Sequence, residues 1–214
     1  MSIRVVEFVT GDYYHIYNRG NSKQIIFLDK QDHEYFINLL KIMNTEKRVM
    51  SSRSKKDNDI LENDEPIISI GAFCLMPNHF HILLKQEKDK GISMYMQKIS
   101  TAYVMYFNKK YKRTGGLFEG KFKSKYASAD DAYLKYLFSY IHLNPLKIIN
   151  KNWKLSKFDN AQYQFLLQYP YSSFNEYALN KFDYINKKEF PDYFPTSEDF
   201  TKEMTSWIKL KESW

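Results

Sequence analysis

A pair of histidines stands near the middle of the chain, in the stretch Met76-Pro77-Asn78-His79-Phe80-His81-Ile82-Leu83-Leu84. In a β-strand, successive side chains point to opposite faces, so His79 and His81 share one face while Phe80 points to the other. Two imidazoles side by side on a rigid strand can bind a metal ion if the chain supplies a third ligand. The alternative is an ordinary strand with two half-exposed histidines.

The composition indicates a basic chain with a sizeable core. The 214 residues are 43% hydrophobic and 17% aromatic, which suits one large domain or a domain with an extension. Lys and Arg number 32 against 25 Asp and Glu, giving a net charge of +7. Such an excess suits a polyanionic partner such as nucleic acid, although a generic basic protein also has it.

The chain carries no sign of export or membrane insertion. The single cysteine, Cys74, excludes an internal disulfide and fits a reducing compartment. No apolar run approaches the roughly 20 residues of a membrane span, and Met1–Thr10 lacks the apolar centre of a signal peptide. We expect a cytoplasmic, nucleoid-associated protein with no membrane partner.

Hydrophobic periodicity predicts alternating strands and helices. The predicted strands are Tyr13–Tyr17, Ile67–Cys74, His79–Lys85 and Lys121–Ala127. The predicted helices are Asp29–Met43, Ile92–Tyr111, Asp131–Asn144 and Glu198–Leu210. Pro77-Asn78 is a tight turn that joins the second and third strands as a hairpin. The polar segment 45–66 is interpreted as a mobile excursion.

This order of elements predicts an α+β fold. The expected core is a ferredoxin-like or RRM-like antiparallel sheet with helices on one face. We assign residues 1–150 to this core. Residues 151–214 form an aromatic-rich C-terminal extension of irregular chain and short helices, which we expect to pack on the core.

The helix predicted at Asp131–Asn144 carries polar candidates on one side. Tyr133, Tyr136 and Tyr140 share a face, and Asn144 lies one turn beyond Tyr140 on the same side. Pro145 disfavours helical geometry in the residue before it, so we expect the helix to end at Asn144.

His79, His81 and Asn144 together offer two nitrogens and one amide oxygen to a metal ion. The remaining coordination positions could take substrate oxygens, which suits Mg²⁺ or Mn²⁺ in a phosphate-transfer site, with zinc as the alternative. Tyr140 is then a candidate nucleophile, whereas the alternative is a surface aromatic. Because a phenol has a pKa of about 10, the metal would have to activate the phosphate.

A basic segment interleaved with aromatics is a candidate surface for single-stranded nucleic acid. Its cations, offset by one carboxylate, are Lys109, Lys110, Lys112, Arg113, Lys121, Lys123 and Lys125. Cations follow a phosphate backbone and rings stack on bases, although a solvated lysine face over core aromatics is the alternative. Asn18 and Arg19, in a predicted turn, could also present an N–H and a cation to a phosphate, although such a loop is more often just a turn.

Three separated motifs resemble the single-tyrosine HUH transposases, especially the REP-associated tyrosine transposase branch. They are Pro77–Leu84, Gly116–Phe122 and Tyr140–Pro145, and the segments Tyr14–Asn21 and Pro170–Ser173 also fit. The combination of His-x-His after Pro-Asn with a distant Tyr-Ile-x-x-Asn-Pro is specific. The departures are the long segment 45–66, Tyr169 where the family usually has tryptophan, and an unmatched tail past Tyr177.

The resemblance implies a metal-dependent transposase with endonuclease and strand-transfer activity. It implies Mg²⁺ or Mn²⁺ held by His79, His81 and Asn144, and Tyr140 as the nucleophile that forms a 5′-phosphotyrosine with single-stranded DNA. It also implies recognition of an imperfect DNA hairpin. The sequence leaves open whether the chain acts as a monomer or as a homodimer. The alternatives are a domesticated hairpin-binding protein without transposition, and a zinc hydrolase that uses the histidines without the tyrosine.

Overall fold

The computed structural model describes residues 7–47, 65–128, 130–153 and 158–207. Within them, the strands are β1 (Tyr13–Arg19), β2 (Ile68–Met76), β3 (His79–Gln86) and β4 (Lys123–Tyr126). The α-helices of these residues are α1 (Lys30–Ile42), α2 (Gly91–Lys110), α3 (Asp131–Leu143), α4 (Leu146–Ile149), α5 (Asn160–Gln168), α6 (Phe174–Ala178) and α7 (Ser197–Trp207). The strands form one antiparallel sheet in the order β2–β3–β1–β4.

The chain order β-α-β-β-α-β confirms the predicted α+β fold with a ferredoxin-like core. On the face to which Phe80 points, α1 and α2 supply Phe36 and Tyr103, whose rings lie 5.0 Å apart, with Phe36 5.1 Å from Phe80. We expected helices on this face, and α3 in addition packs against β2 and β3 from the other side. Because β2 is buried along its whole length, both of its faces need cover.

The predicted turn at Pro77-Asn78 is tied to the neighbouring chain. The Asn78 carbonyl accepts a hydrogen bond from the Gly20 N–H at 2.9 Å. The Pro77 carbonyl accepts from the N–H groups of Ile26 and Phe27, at 2.8 and 3.1 Å. The start of β3, where the histidine pair lies, is therefore held by the segment that follows β1.

The C-terminal extension covers the outer edge of β2. The Leu75 N–H donates to the Tyr171 carbonyl at 2.8 Å, and the Ser173 N–H donates to the Phe73 carbonyl at 3.0 Å. These bonds occupy backbone groups that an edge strand would otherwise expose. Ser173 Oγ also lies 2.8 Å from His142 Nε2 on α3, so the extension joins α3 to β2.

Two local predictions need correction. β1 runs through Asn18 and Arg19, which were expected in a turn. Asn144 and Pro145 both have right-handed helical dihedrals, so the proline does not force Asn144 out of helical geometry. A proline is tolerated here because it precedes the first turn of α4, where its missing N–H has no helical partner to lose. Asn144 and Pro145 therefore form a helical turn that joins α3 to α4.

Part of the chain lies outside the described residues. This applies to most of the predicted excursion at 45–66 and to the end of the helix predicted at Glu198–Leu210. In the ranges given above, no helix combines the length and the apolar character needed to cross a membrane.

Candidate active site

His79 and His81 lie side by side on β3, with ring centroids 5.0 Å apart. Both use Nδ1 for a hydrogen bond. His79 Nδ1 lies 2.6 Å from Asn78 Oδ1, and His81 Nδ1 lies 2.9 Å from His15 Nε2. Since the amide oxygen of Asn78 can only accept, His79 donates Nδ1–H. Among the described residues neither Nε2 has a hydrogen-bond partner, so each ring keeps that nitrogen for a ligand.

Burial keeps both imidazoles neutral at pH 7. It lowers the pKa of His79 to about 4, and the charges of Lys147 and Arg19 contribute further. The pKa of His81 lies well below its usual value, first because of burial and then because of His15, His79 and Lys147. A neutral imidazole is the form that binds a metal, because its ring nitrogen keeps a free lone pair.

His15 on β1 also belongs to this site, although it is not among the residues predicted from the sequence. Its ring stacks on that of His81 with centroids 5.0 Å apart, and burial lowers its pKa to about 4. Strand alternation indicates that His15 and Tyr17 share a face. That this face meets His81 depends on the pairing of β1 with β3, in which Tyr17 lies opposite His81.

Tyr140 on α3 contacts this histidine cluster. Its ring edge meets the rings of His81 and His15 at centroid distances of 5.5 and 6.1 Å. Tyr136 stacks on Tyr140 at 6.0 Å, and Tyr133 stacks on Tyr136 at 6.1 Å. These three rings form a tyrosine ladder along α3, and Tyr140 is the end of the ladder that touches the histidines.

Asn144 is fully buried, and among the described residues neither its Oδ1 nor its Nδ2 has a hydrogen-bond partner. An unsatisfied buried polar group costs about 1–3 kcal/mol, so its presence points to a ligand. In the described residues no three or more His, Cys, Asp or Glu side chains are grouped to hold a metal. A metal held by His79 and His81 would therefore need a third protein ligand of another type, and the amide oxygen of Asn144 has suitable chemistry.

Lys123 and Lys125 lie on the histidine face of the sheet. They are opposite Tyr17 and His15 on β1, and residues directly opposite each other in an antiparallel pair project to the same face. Both lysines are exposed, and Lys125 Nζ lies 4.4 Å from the ring centroid of Tyr133. A basic stripe therefore leads from the β4 edge toward the tyrosine ladder and the histidines.

The other cations of the basic segment differ in their surroundings: some are paired or packed within the protein and others are exposed. Lys110 Nζ forms ion pairs with Asp29 at 2.7 Å and with the buried Asp32 at 2.8 Å, at the start of α1. These bonds fix α1 against α2 and give Lys110 carboxylate partners within the protein, and its contact with DNA stays a prediction. Arg113 lies over the Phe107 ring at 5.5 Å. The exposed members of the segment outside β4 are Lys109, Lys112 and Lys121.

Asn18 and Arg19 also take different roles. Asn18 is buried, its Nδ2 donates to the Gly120 carbonyl at 3.1 Å, and its Oδ1 accepts from the Arg19 N–H at 2.9 Å. The side chain of Asn18 is therefore bonded within the protein, and its role in DNA binding stays a prediction. Arg19 lies opposite His79 on the histidine face, where its Nε pairs with Glu119 at 2.7 Å.

Comparisons with known proteins identify the family and the fold of this chain. The family model for IS200-like transposases matches residues 9–144, which is well over half of the chain and includes all the candidate catalytic residues. A solved structure of a REP-associated tyrosine transposase bound to a REP hairpin aligns with a TM-score of 0.55. The alignment has 15% identity and covers 86% of this chain and 90% of that chain, which shows a shared fold. The comparison with curated proteins gave no match. This chain belongs to the IS200-like transposase family.

Proposed function

We propose that this transposase cleaves and transfers single-stranded DNA through Tyr140. The observation that carries the proposal is the contact of the Tyr140 ring with His81, at a centroid distance of 5.5 Å. It brings the Tyr140 side chain on α3 next to the neutral imidazole of His81 on β3, whose neighbour on the same strand face is His79. A hydroxyl beside a potential metal site is an arrangement suited to phosphoryl transfer to a side chain.

In the proposed reaction, the Tyr140 hydroxyl oxygen attacks the scissile phosphorus. A phosphorus–oxygen bond to the phenol forms, and the bond to the 3′ oxygen of the preceding nucleotide breaks. The phenol proton passes to solvent, and the departing oxygen takes up a proton to become a free 3′-hydroxyl. A second 3′-hydroxyl can then attack the 5′-phosphotyrosine and release Tyr140, which joins two strands.

His79 and His81 would hold Mg²⁺ or Mn²⁺ through Nε2, with the amide oxygen of Asn144 as the third ligand. The neutral state of the imidazoles and the unpaired Asn144 amide support this donor set. Such an ion would polarise the scissile phosphate and stabilise charge on the leaving oxygen.

The proposed substrate is single-stranded DNA beside an imperfect hairpin. The stripe of Lys123 and Lys125 on the histidine face supports a strand path across β4. The REP-associated tyrosine transposase that shares this fold is bound to a REP hairpin, which supports a hairpin as the recognition element here.

The proposed function can be tested by covalent capture. The protein is incubated with Mn²⁺ and a pool of randomised imperfect hairpins flanked by single strands. DNA that stays attached under denaturing conditions is sequenced, and the modified peptide is mapped. We expect 5′-linked adducts at Tyr140. Hairpin binding without any adduct would contradict cleavage and favour a domesticated binding protein.

Replacing Lys121, Lys123 and Lys125 with alanine should weaken binding to all single-stranded sequences alike. The log–log slope of affinity against salt should flatten by about 0.7 for each lost phosphate contact. Fluorescence anisotropy over a range of KCl concentrations measures this slope. The matched control removes three exposed lysines away from the histidine face: Lys30, Lys41 and Lys90. If both triple variants give the wild-type slope, β4 is not the DNA path.

His15→Ala should lower Mn²⁺ affinity by roughly 10- to 100-fold, the usual effect of losing the partner that orients a ligand. His81 would bind the ion through Nε2 and donate Nδ1–H to His15 Nε2, which lies 2.9 Å away. The readout is the electron paramagnetic resonance signal of free Mn²⁺ during titration without DNA. His15→Gln retains an acceptor and should retain more affinity, and equal affinity in His15→Ala and wild type would contradict this role.

A further inference from the structure

A lysine next to Tyr140 has no role in the site described so far. Lys147 lies on α4, and its Nζ is 5.4 Å from the centroid of the Tyr140 ring. Because Asn144 and Pro145 keep helical dihedrals, Lys147 is about two turns beyond Tyr140 on the same face. The ammonium group of Lys147 therefore lies close to the phenol ring of Tyr140.

The positive charge of Lys147 affects the pKa values of His79 and His81. After burial, this charge is one of the causes that lower both pKa values. No carboxylate among the described residues forms an ion pair with Lys147. Burial also lowers the pKa of Lys147, and no carboxylate in the described ranges offsets this effect. A partly buried cation among neutral groups lacks the solvation it would have in water, so the position favours an anion.

We propose that Lys147 binds the non-bridging oxygens of the scissile phosphate. This inference rests on the proposed function, since it takes Tyr140 as the attacking residue. A phosphodiester that reaches the Tyr140 hydroxyl carries one negative charge and comes close to the ammonium. Lysine binds phosphate as a mobile point charge, and here the charge lies over the ring of the nucleophile.

Lys135 on the preceding helix provides a comparison, because it has a structural ion pair that Lys147 lacks among the described residues. Lys135 on α3 forms an ion pair with Glu203 of α7 at 2.8 Å. Lys147 instead lies over the face of the Tyr140 ring, and no carboxylate of the described residues forms an ion pair with it. Its remaining structural explanation is support of the Tyr140 ring through a cation–π contact. The substrate, and not the protein alone, has to be varied to separate the two roles.

The test varies the charge of one phosphate. The scissile position is taken from the captured adducts, and strands are made with either a phosphate or a neutral methylphosphonate there. Binding is measured in EDTA in a Tyr140→Phe background, which keeps the ring but cannot attack. Adding Lys147→Ala should weaken binding of the phosphate strand by roughly tenfold and leave the methylphosphonate strand unchanged. Lys147→Met should behave like Lys147→Ala, and Lys147→Arg should retain most of the affinity.

Lys151→Ala, which removes an exposed lysine just after α4, is the matched control and should change neither affinity. An equal loss on both strands would assign Lys147 a structural role, and no loss on either strand would exclude it from the site. Both results overturn the inference. A wild-type protein that forms no tyrosine adduct overturns the proposed function as well. Normal adduct formation with either of the two contrary binding results overturns the Lys147 assignment alone.

Discussion

We expect Tyr140→Phe to eliminate the covalent adduct with single-stranded DNA and Tyr136→Phe to retain it. This expectation follows from the order of the two residues in the tyrosine ladder. The Tyr140 ring contacts His81 and His15, and Tyr136 stacks behind it at 6.0 Å. Loss of a nucleophile should reduce cleavage by more than about a thousandfold. The assay is a denaturing gel with labelled hairpin DNA and Mn²⁺, followed by peptide mapping.

The comparison is well matched because each variant removes a single hydroxyl oxygen from the same face of α3. Four residues along a helix correspond to about 6 Å, so the two hydroxyls cannot serve one phosphate equally. Asn144, the proposed third ligand, lies one turn beyond Tyr140 and two beyond Tyr136. An adduct in Tyr140→Phe, or an adduct mapped to Tyr136, would overturn the assignment and question the ligand role of Asn144.

His79→Ala and His81→Ala should each abolish Mg²⁺- or Mn²⁺-dependent cleavage. Removing one of two nitrogen ligands should reduce activity by more than roughly a hundredfold, because loss of even an orienting partner costs 10- to 100-fold. The fold should survive, since both side chains lie on the face opposite Phe80 and its aromatic packing. Cleavage over a Mn²⁺ titration, with circular dichroism of each variant, tests both statements.

Asn144→Ala provides a graded comparison for the histidine variants. It should reduce cleavage less than either histidine variant, because water can occupy the vacated oxygen position. Full cleavage by His79→Ala or His81→Ala, or full wild-type activity in excess chelator, is incompatible with the metal proposal. Those outcomes would leave Tyr140 as a candidate nucleophile without a metal.

The fold was predictable where its signals are local. The turn at Pro77-Asn78 follows from backbone preferences of the two residues themselves. Helix α1 begins where Asp29 caps it, and the side chain of Asp29 accepts the N–H of Asp32 while Asp32 accepts the N–H of Asp29. Helix α3 ends at Leu143 with Asn144 as its cap, as the proline predicts, although Asn144 keeps helical dihedrals because α4 begins directly after Pro145.

The candidate site was predictable only in part, because some of its contacts depend on which strands become neighbours. His79 and His81 share a face through strand alternation, and Asn144 follows Tyr140 through helical spacing. The contact of His15 with His81 requires β1 to lie beside β3, which no local pattern specifies. The ion pairs of Lys110 likewise depend on how α1 meets α2, so its charge alone suggested a DNA-facing role.

The hydrogen bond between His142 and Ser173 links the span that the family model matches to the C-terminal extension. The match to the IS200-like transposases ends at residue 144, yet the position of α3 depends on residues well beyond it. Phe138 of α3 packs its ring against Phe190 and Phe194 of the extension. A fragment cut to the matched span would carry His79, His81, Tyr140 and Asn144, but it would lose Lys147 and the aromatic side chains that pack against α3. Ser173 bonds to both α3 and β2. A substitution at Ser173 would thus reduce activity by displacing α3, even though Ser173 is not a catalytic residue.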